Sequence, residues 1–497
     1  MSDSDAVVTS ERRIPRRPLI LGACMAASFM AAVEATIMAT AMPAVANSLG
    51  GFGLFAWVFS AYMLGQAATI PLYGRLADMY GRRRIFFAGV FIFLLGSTLC
   101  GFSRSMLQLV IFRAIQGLGA GGVQPIANTI VGDIYTPVER ARVQGMLSGV
   151  FGVSAILGPS LGAFIVQYGD WPVVFWMNIP IGAAAIAMIA LFLPEEIGTR
   201  SRHVDYLGSV LLMVTTAALM LLLIEGAEFD RSTLTIATAI LLTGGVALVL
   251  HERRIAEPML PLELWRNRVI AGSGIGSLIT GILMMGVTAY LPTCVQGVMG
   301  RGANVTAVIL ALMSVVWVLG STTAGLWLPR STYRGIAMSG AVALMAGAAM
   351  LIAMTPASGP VWAAAGAVLI GAGMGFCNTT FMVSVQTSVA WHQRGAATSS
   401  TMFLRFLGQS LGAAAFGAVL NFSLFREVSE ASRPLDLVMR PSARDALSQG
   451  DLAPLIDAVS SSMRHAYVLT GTMALLALLV ALSYPAKLGP ANQRRLN

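Results

Sequence analysis

Long apolar runs, separated by short polar segments, recur from one end of the chain to the other. A helix that crosses a bilayer needs about 20 mostly apolar residues. By this measure the pattern predicts an all-α polytopic membrane protein with fourteen spanning helices. The predicted spans are residues 18–42, 55–74, 85–103, 106–134, 142–167, 172–194, 206–225, 233–250, 269–292, 304–328, 336–355, 361–386, 396–421 and 465–485.

Two polar segments, 195–205 and 251–268, divide these runs into groups of six, two and six. A faint repeat supports two related halves, because glycine and arginines follow both the second span and the tenth. This is the plan of a transporter whose binding site lies between two bundles. The predicted parts are a cytoplasmic tail (1–17), an N-terminal six-helix bundle (18–198), a linker with two extra helices (199–268), a C-terminal six-helix bundle (269–485) with an outer segment (422–464), and a second tail (486–497).

Composition agrees with the membrane assignment, since 56% of residues are hydrophobic and only 11% are charged. The net charge of +9 would suggest nucleic acid in a soluble protein. Here most Lys and Arg residues fall in alternate loops and in both tails, and Arg113 and Arg405 fall inside helices. The positive-inside rule then predicts a multi-pass protein of the plasma (inner) membrane with both termini in the cytoplasm. The basic face is expected to attract membrane lipids, and no nucleic-acid partner is needed.

The four cysteines form no Cys-x-x-Cys pair and the four histidines are isolated. Neither a metal site nor a disulfide framework is therefore expected. No Walker loop is present, so ATP is not expected as the direct driver. The chain is also not expected to be an enzyme, because no cluster of catalytic side chains appears. No cofactor is predicted, and a proton gradient is the expected driving force.

Glu34 stands alone in an apolar run of the first span. A charge at mid-bilayer costs roughly 3 kcal/mol on insertion scales. Arg113, the second intramembrane charge of this half, lies at matching depth, since both residues are about 10–12 Å from the outer ends of their spans. Two interpretations stay open: a static ion pair, or a proton-exchanging carboxylate tuned by the arginine. Gln116, Gln124 and Asn128 continue a polar stripe from Arg113 along the fourth span, which favours a wet cavity or helix–helix hydrogen bonds.

The segment from Gly74 to Arg84 reads Gly-Arg-Leu-Ala-Asp-Met-Tyr-Gly-Arg-Arg-Arg. Asp78 is expected to accept hydrogen bonds from the N-terminus of a neighbouring helix, while arginines pair with carboxylates such as Asp133 or Glu139. Such contacts would latch one conformation and break in the other. The predicted latch residues are Gly74, Asp78, Gly81, Arg82, Arg83 and Asp133.

With these motifs the chain resembles the major facilitator superfamily, and within it the drug:proton antiporters with fourteen spans, the EmrB/QacA type. Val33 to Ile37, Arg113 to Gly119 and Gly158-Pro159-Ser160-Leu161-Gly162 are similar to that family's first-, fourth- and fifth-helix motifs. The resemblance implies the major facilitator fold and a role for Gly158, Pro159 and Gly162 in an antiporter helix. The family usually carries Asp where this chain has Glu34.

No Asp or Glu occurs between Glu263 and Glu427, so the ninth to thirteenth predicted spans offer no carboxylate for proton coupling. Further candidates for a substrate cavity are Tyr62, Gln66, Asn178, Trp317, Asn378 and Thr380. We therefore predict a proton-coupled exporter, a multidrug antiporter of small hydrophobic molecules, cationic ones included. The alternative is an exporter of one metabolite or lipid on the same fold.

Overall fold

The computed structural model describes residues 16–50, 54–194, 205–225, 230–255, 262–301, 303–328, 330–355, 358–427 and 449–485. Within these ranges the protein is helical throughout. Its long helices are α1 (Arg17–Leu49), α2 (Phe55–Tyr80), α3 (Arg82–Gly101), α4 (Met106–Ile134), α5 (Pro137–Tyr168), α6 (Asn178–Phe192), α7 (Tyr206–Glu225), α8 (Arg231–Glu252), α9 (Arg268–Thr293), α10 (Ala303–Trp327), α11 (Tyr333–Ile352), α12 (Gly359–Ser388), α13 (Arg394–Glu427) and α14 (Gln449–Ser483). A one-turn helix, Val173–Trp176, precedes α6, and a π-helical turn, Cys294–Val298, follows α9.

Several helices begin where a short polar side chain caps the first turn. A side-chain oxygen there accepts a backbone N–H that the helix itself leaves unpaired. In α5 the cap is reciprocal, because Glu139 also accepts from the backbone of Thr136. The caps are Ser105 of α4, Thr136 of α5, Asp230 of α8, Asn267 of α9 and Thr332 of α11.

Ten of the described helices are long and apolar enough to cross a membrane, by length and composition. The prediction of fourteen spans stays a prediction for the other four, α2, α5, α7 and α13. Two of these, α2 and α13, contact each other directly: Asp78 of α2 accepts from the Gly395 amide of α13, and Ser399 of α13 lies against Gly74.

The segment predicted to lie outside the membrane, 422–464, is in large part helical. Residues 422–427 complete α13 and residues 449–464 begin α14, while 428–448 fall outside the described residues. Val459 and Met463 belong to the core of the second half, and Ser423 hydrogen-bonds His465 at 2.9 Å. The helices therefore continue past the predicted span ends, because one face of each still packs on its neighbour.

The same packing pattern occurs twice along the chain. In the first half, α1–α6, helix α1 packs on α5, α2 and α3 pack on α4, and α3 packs on α6. In the second half, α9–α14, helix α9 packs on α13, α10 and α11 pack on α12, and α11 packs on α14. Each helix number is eight higher than that of its counterpart in the first half. The halves meet where α2 packs on α13 and where α5 packs on α10. Since α10 is the counterpart of α2 and α13 is the counterpart of α5, these two contacts are equivalent. The pair α7–α8 joins the halves in sequence and packs on the outside of α2 and α13.

Candidate functional site

Glu34 lies at the centre of a buried polar network in the first half. Its side chain is 0% exposed, and Oε1 accepts a hydrogen bond from Arg113 Nη1 at 2.6 Å. The other oxygen, Oε2, accepts from Asn178 Nδ2 at 2.7 Å. Three helices, α1, α4 and α6, thus converge on one carboxylate. The pairing predicted from matching depth is present, and Asn178 completes it.

Arg113 is itself held in place from several sides. Nη1 also donates to Gln116 Oε1 at 2.8 Å and Nε donates to the Val58 carbonyl at 3.1 Å. The guanidinium lies 4.3 Å from the ring centroid of Tyr62, a cation–π distance. Ser97 links the network, because its Oγ accepts from both Gln116 and Asn178.

Tyr62, Gln116 and Asn178 were predicted to line a substrate cavity. In this conformation they are at most 3% exposed and serve the Glu34–Arg113 pair instead. The pattern of polar residues alone could not distinguish a substrate cavity from the surroundings of a buried ion pair, since both favour amides and aromatic rings. Ser97 was missed because a single serine in an apolar helix carries little signal.

The fifth helix approaches α1 within one turn of Glu34. Thr36 Oγ1 donates to the Ser154 carbonyl of α5 at 3.1 Å. A Cβ at Gly158 would stand 2.0 Å from that same hydroxyl, and a Cβ at Gly162 would stand 2.2 Å from Thr40 Oγ1. Both glycines are therefore required by close helix approach, not by backbone conformation. Pro159 lies in α5, but its side chain is outside the described part of the chain.

The opposite end of α5 meets the second half. Cβ atoms at Gly145 and Gly149 would contact Thr322 and Val318 of α10. One face of α5 thus touches α1 beside the Glu34 network, and another touches α10 across the seam between the halves.

A second polar cluster joins the halves where α2 ends and α13 begins; we call this the latch end of the bundle. Asp78 Oδ1 accepts from Gly395 N at 3.0 Å, and Oδ2 accepts from Ala396 N at 2.7 Å. These amides belong to the first turn of α13, so the carboxylate caps a helix of the other half. The dipole of that helix favours a negative charge at this end. Asp78 also pairs with Arg82 Nη2 at 2.6 Å.

Arg82 and Asp133 extend the latch between α3, α4 and the start of α13. Asp133 accepts from Arg82 Nε through Oδ2 and from Arg394 Nη1 through Oδ1, both at 3.0 Å. Arg82 further donates to the Trp391 carbonyl at 2.9 Å and lies 4.6 Å from the Trp391 ring centroid. Arg394 and Trp391 were not identified from the sequence; the run His392-Gln393-Arg394-Gly395 before α13 was the available signal.

The two latch glycines have different reasons to be glycine. Gly74 lies against α13, where a Cβ would stand 1.9 Å from Ser399 Oγ and 2.6 Å from the Gly395 carbonyl oxygen. Gly81 joins α2 to α3 with φ of 95°, a region that side chains rarely adopt. Arg83 donates to the Leu193 carbonyl at 3.3 Å and so contacts the end of α6, not the other half.

Of the remaining predicted cavity residues, Asn128 has a contact across the seam between the halves. Asn128 Nδ2 lies 3.7 Å from Met402 Sδ of α13. Gln124 is one turn away on the same face of α4, and Gln66 is one turn from Ile70, which packs with Met382 and Met402. Asn378 and Trp317 each keep a buried side-chain nitrogen without a hydrogen-bond partner. Thr380 donates to the Phe376 carbonyl of its own helix at 2.7 Å.

Known proteins resemble the chain in both sequence and fold. Multidrug resistance protein 3 of Bacillus subtilis (strain 168) is 32% identical over 479 residues, which cover 93% of each chain. The multidrug transporter protein MdtP of the same strain is 30% identical over 417 residues, 83% of this chain and 77% of MdtP. The structure of the human organic anion transporter MFSD10 (TETRAN) matches with a TM-score of 0.66 at 14% identity, over 94% of this chain and 100% of that chain.

The family match extends over both halves and includes both polar clusters. Residues 24–413 match the Major Facilitator Superfamily. A second solved structure, the proton:xylose symporter XylE, matches with a TM-score of 0.63 at 14% identity, over 93% of this chain and 94% of that chain. The chain belongs to the Major Facilitator Superfamily and is a multi-pass membrane transporter with multidrug efflux proteins among its relatives.

Proposed function

We propose that the protein is a proton-coupled antiporter that exports small hydrophobic molecules by alternating access. The observation that carries this proposal is Glu34, a fully buried carboxylate held by Arg113 and Asn178. The second half contributes no acidic residue between Glu263 and Glu427, so proton coupling by an acidic side chain falls to the first half. There Asp78 and Asp133 are engaged in the latch, and Glu34 is the remaining deep carboxylate.

Proton exchange at Glu34 follows because a proton and Arg113 compete for the carboxylate oxygens. Ionised Glu34 satisfies Arg113, and a buried guanidinium without that partner would carry a large desolvation cost. Protonation therefore weakens the bond between α1 and α4 and leaves Arg113 with Gln116, Val58 and Tyr62 as partners. Since α1 packs on α5 one turn away, and α5 packs on α10, a change at Glu34 reaches the seam between the halves through direct contacts.

The latch end supports alternating access from the other side. Asp78, Asp133 and Arg82 hold α13 and the Trp391 segment closed against α2, α3 and α4 in this conformation. In the proposed cycle these bonds break when the halves rock apart at this end. The repeated packing pattern of the halves suits such a rigid-body motion about a central site.

We further propose fourteen spans with both termini in the cytoplasm of the plasma (inner) membrane. This arrangement places the latch end on the cytoplasmic side, in contact with anionic lipid headgroups. The tails 1–17 and 486–497, the linker 199–268 and the two bundles 18–198 and 269–485 then follow as the parts of the transporter. An exporter needs a substrate path through its seam, which Gln66, Gln124, Asn128, Trp317 and Asn378 would line.

The names of the relatives favour several substrates over one, because two of them are called multidrug proteins. The alternative, export of one metabolite or lipid, makes a different prediction. Cells that lack the protein would then become sensitive to one compound, whereas a multidrug exporter gives sensitivity to several unrelated dyes.

Transport in proteoliposomes with an imposed pH gradient tests the coupling. With Glu34→Gln we expect pH-driven transport to fall at least tenfold, while exchange of substrate across the membrane without a gradient persists. Gln keeps the size of Glu and is uncharged like the protonated acid; its single oxygen can accept from Arg113, while Asn178 loses its acceptor. Asp230→Asn is a matched control, because Asp230 is an exposed cap of α8 that contacts only its own first turn in the described bonds. Wild-type rates of pH-driven transport in Glu34→Gln would refute proton coupling at this residue.

A further inference from the structure

Arg405 is a third intramembrane charge that the antiport mechanism above does not use. It lies eleven residues after the start of α13, about 16 Å along the helix. It takes part in no ion pair among the described residues, and its Nε is buried without a hydrogen-bond partner. The nearest ring, Phe406, lies 5.8 Å from its guanidinium carbon. A cation of this kind in a bilayer helix calls for a partner.

Arg405 faces the interior of the protein and not the lipid. From Arg394 to Leu420 no described residue of α13 is exposed, so this stretch lies inside the bundle. Arg405 is nevertheless partly exposed. Because its Nε is buried, the side chain lies among the helices and borders the space between them.

The position of that space follows from neighbouring contacts. Met402, one turn before Arg405 on α13, packs with Ile70 of α2 and Met382 of α12, and together they form an apolar seal across the seam. Arg405 is the next residue on this face, on the side of the seal away from the latch end. Gln124 and Asn378 also lie on the side of the seal away from the latch end. Gln124 is one turn beyond Asn128, and Asn378 is one turn beyond Met382.

The polar atoms of this layer lack partners, and they differ in kind between the halves. The second half presents donors: Arg405 Nε, Asn378 Nδ2 and the Trp317 Nε1–H. Trp317 lies on the face of α10 opposite the exposed residues Leu312, Val315 and Leu319. The first half presents unpaired oxygens, Gln124 Oε1 and Asn128 Oδ1. Buried polar atoms without partners are costly, and a bound ligand is one way to satisfy several at once.

We propose that this layer binds the acidic headgroup of an amphipathic organic anion, with Arg405 as its charged contact. A carboxylate or sulfonate would accept from the guanidinium, from Trp317 and from Asn378, while its apolar body lies against the Ile70–Met402 seal. Guanidinium–carboxylate bonds are among the strongest in proteins. A cationic substrate would meet repulsion here, with no Asp or Glu between Glu263 and Glu427 to offset it. This assignment rests on the proposed export function and specifies amphipathic anions among its small hydrophobic substrates.

The test compares two dyes that share a xanthene scaffold, anionic 6-carboxyfluorescein and cationic rhodamine 6G. Fluorescence anisotropy measures their binding to the purified full-length chain in detergent. Wild type is expected to bind the anion more tightly than the cation. Arg405→Gln should raise the Kd for the anion by roughly tenfold or more, as for loss of one charge-assisted contact. Its Kd for the cation should stay unchanged or fall. Arg405→Lys keeps the charge and should stay close to wild type.

Arg231→Gln provides the matched control, since Arg231 is exposed at the start of α8. A second measurement needs no variant of Arg405: esterifying the carboxylates of the fluorescein probe should weaken its binding to wild type by a similar factor. The proposal is overturned if wild type does not bind the anion, if the ester binds equally well, or if Arg405→Gln leaves the anion Kd unchanged. Binding needs no pH gradient, so these outcomes are independent of whether Glu34 couples transport to protons.

Discussion

Replacing Asp78 with Asn tests how strongly one carboxylate holds the halves together at the latch end. Asp78 is 4% exposed and bonds three groups: Gly395 N, Ala396 N and Arg82 Nη2. Asn keeps the shape but presents one oxygen instead of two and carries no charge. The two amides of α13 then lose a charged acceptor, and among the described residues Arg82 keeps Asp133 as its carboxylate partner.

The size of the effect follows from these contacts. A hydrogen bond to a charged group contributes about 1.5–3 kcal/mol and a neutral one about 0.5–1.5 kcal/mol. One amide bond is weakened and the other is lost, which together cost about 2 kcal/mol. The lost ion pair adds about 1 kcal/mol, since burial of the charge offsets part of its attraction. A total of about 2–3 kcal/mol corresponds to roughly 30- to 150-fold more opening at the latch end.

Hydrogen exchange read by mass spectrometry measures this opening directly, because the amides of Gly395 and Ala396 are themselves the donors to Asp78. We expect these amides to exchange roughly 30- to 150-fold faster in Asp78→Asn, in line with the free-energy estimate. Asp230→Asn, which removes the charge of an exposed cap far from the seam, should leave them unchanged. Exchange within about threefold of wild type at both amides would show that Asp78 does not hold the closed state.

The remaining predictions concern the two close helix contacts. Gly74→Ala should abolish transport and speed exchange at the start of α13, because the new Cβ would stand 1.9 Å from Ser399 Oγ; Gly22→Ala, with nothing within 4 Å, is its control. A Gly74 variant that transports normally would contradict the observed approach. Gly158→Ala should reduce transport by displacing Thr36, whose Oγ1 would be 2.0 Å away, and Thr36→Ala in the same chain should restore part of it. Equal activity of the single and double variants would exclude this contact as the cause.

Several features of the fold and site could be predicted from the sequence because they depend on local chemistry. Apolar runs and capping residues locate helices, and α4, predicted at 106–134, begins and ends at those residues. The Glu34–Arg113 contact followed from depth alone, because two charges in a bilayer are stabilised by one another. The acceptor role of Asp78 also followed from local chemistry, although the helix it caps was not identified.

Other features depend on helix rotation and on contacts between residues far apart in sequence. Asn178, Ser97 and Gln116 join Glu34 only because α3, α4 and α6 present particular faces to α1. Arg394 enters the latch through a contact with Asp133, 261 positions away. A pattern of polar positions indicates that a face is occupied, but it does not say by which partner.

Arg405 illustrates the same division. The sequence by itself determined that Arg405 falls inside an apolar run, within a stretch from Glu263 to Glu427 that holds no other Asp or Glu. Only the tertiary structure decided that this cation lies one turn beyond the apolar seal, and that α10 and α12 each hold a side-chain nitrogen without a hydrogen-bond partner. The reason is physical: charge and hydropathy belong to individual residues, whereas the partner of a buried charge is set by how whole helices pack.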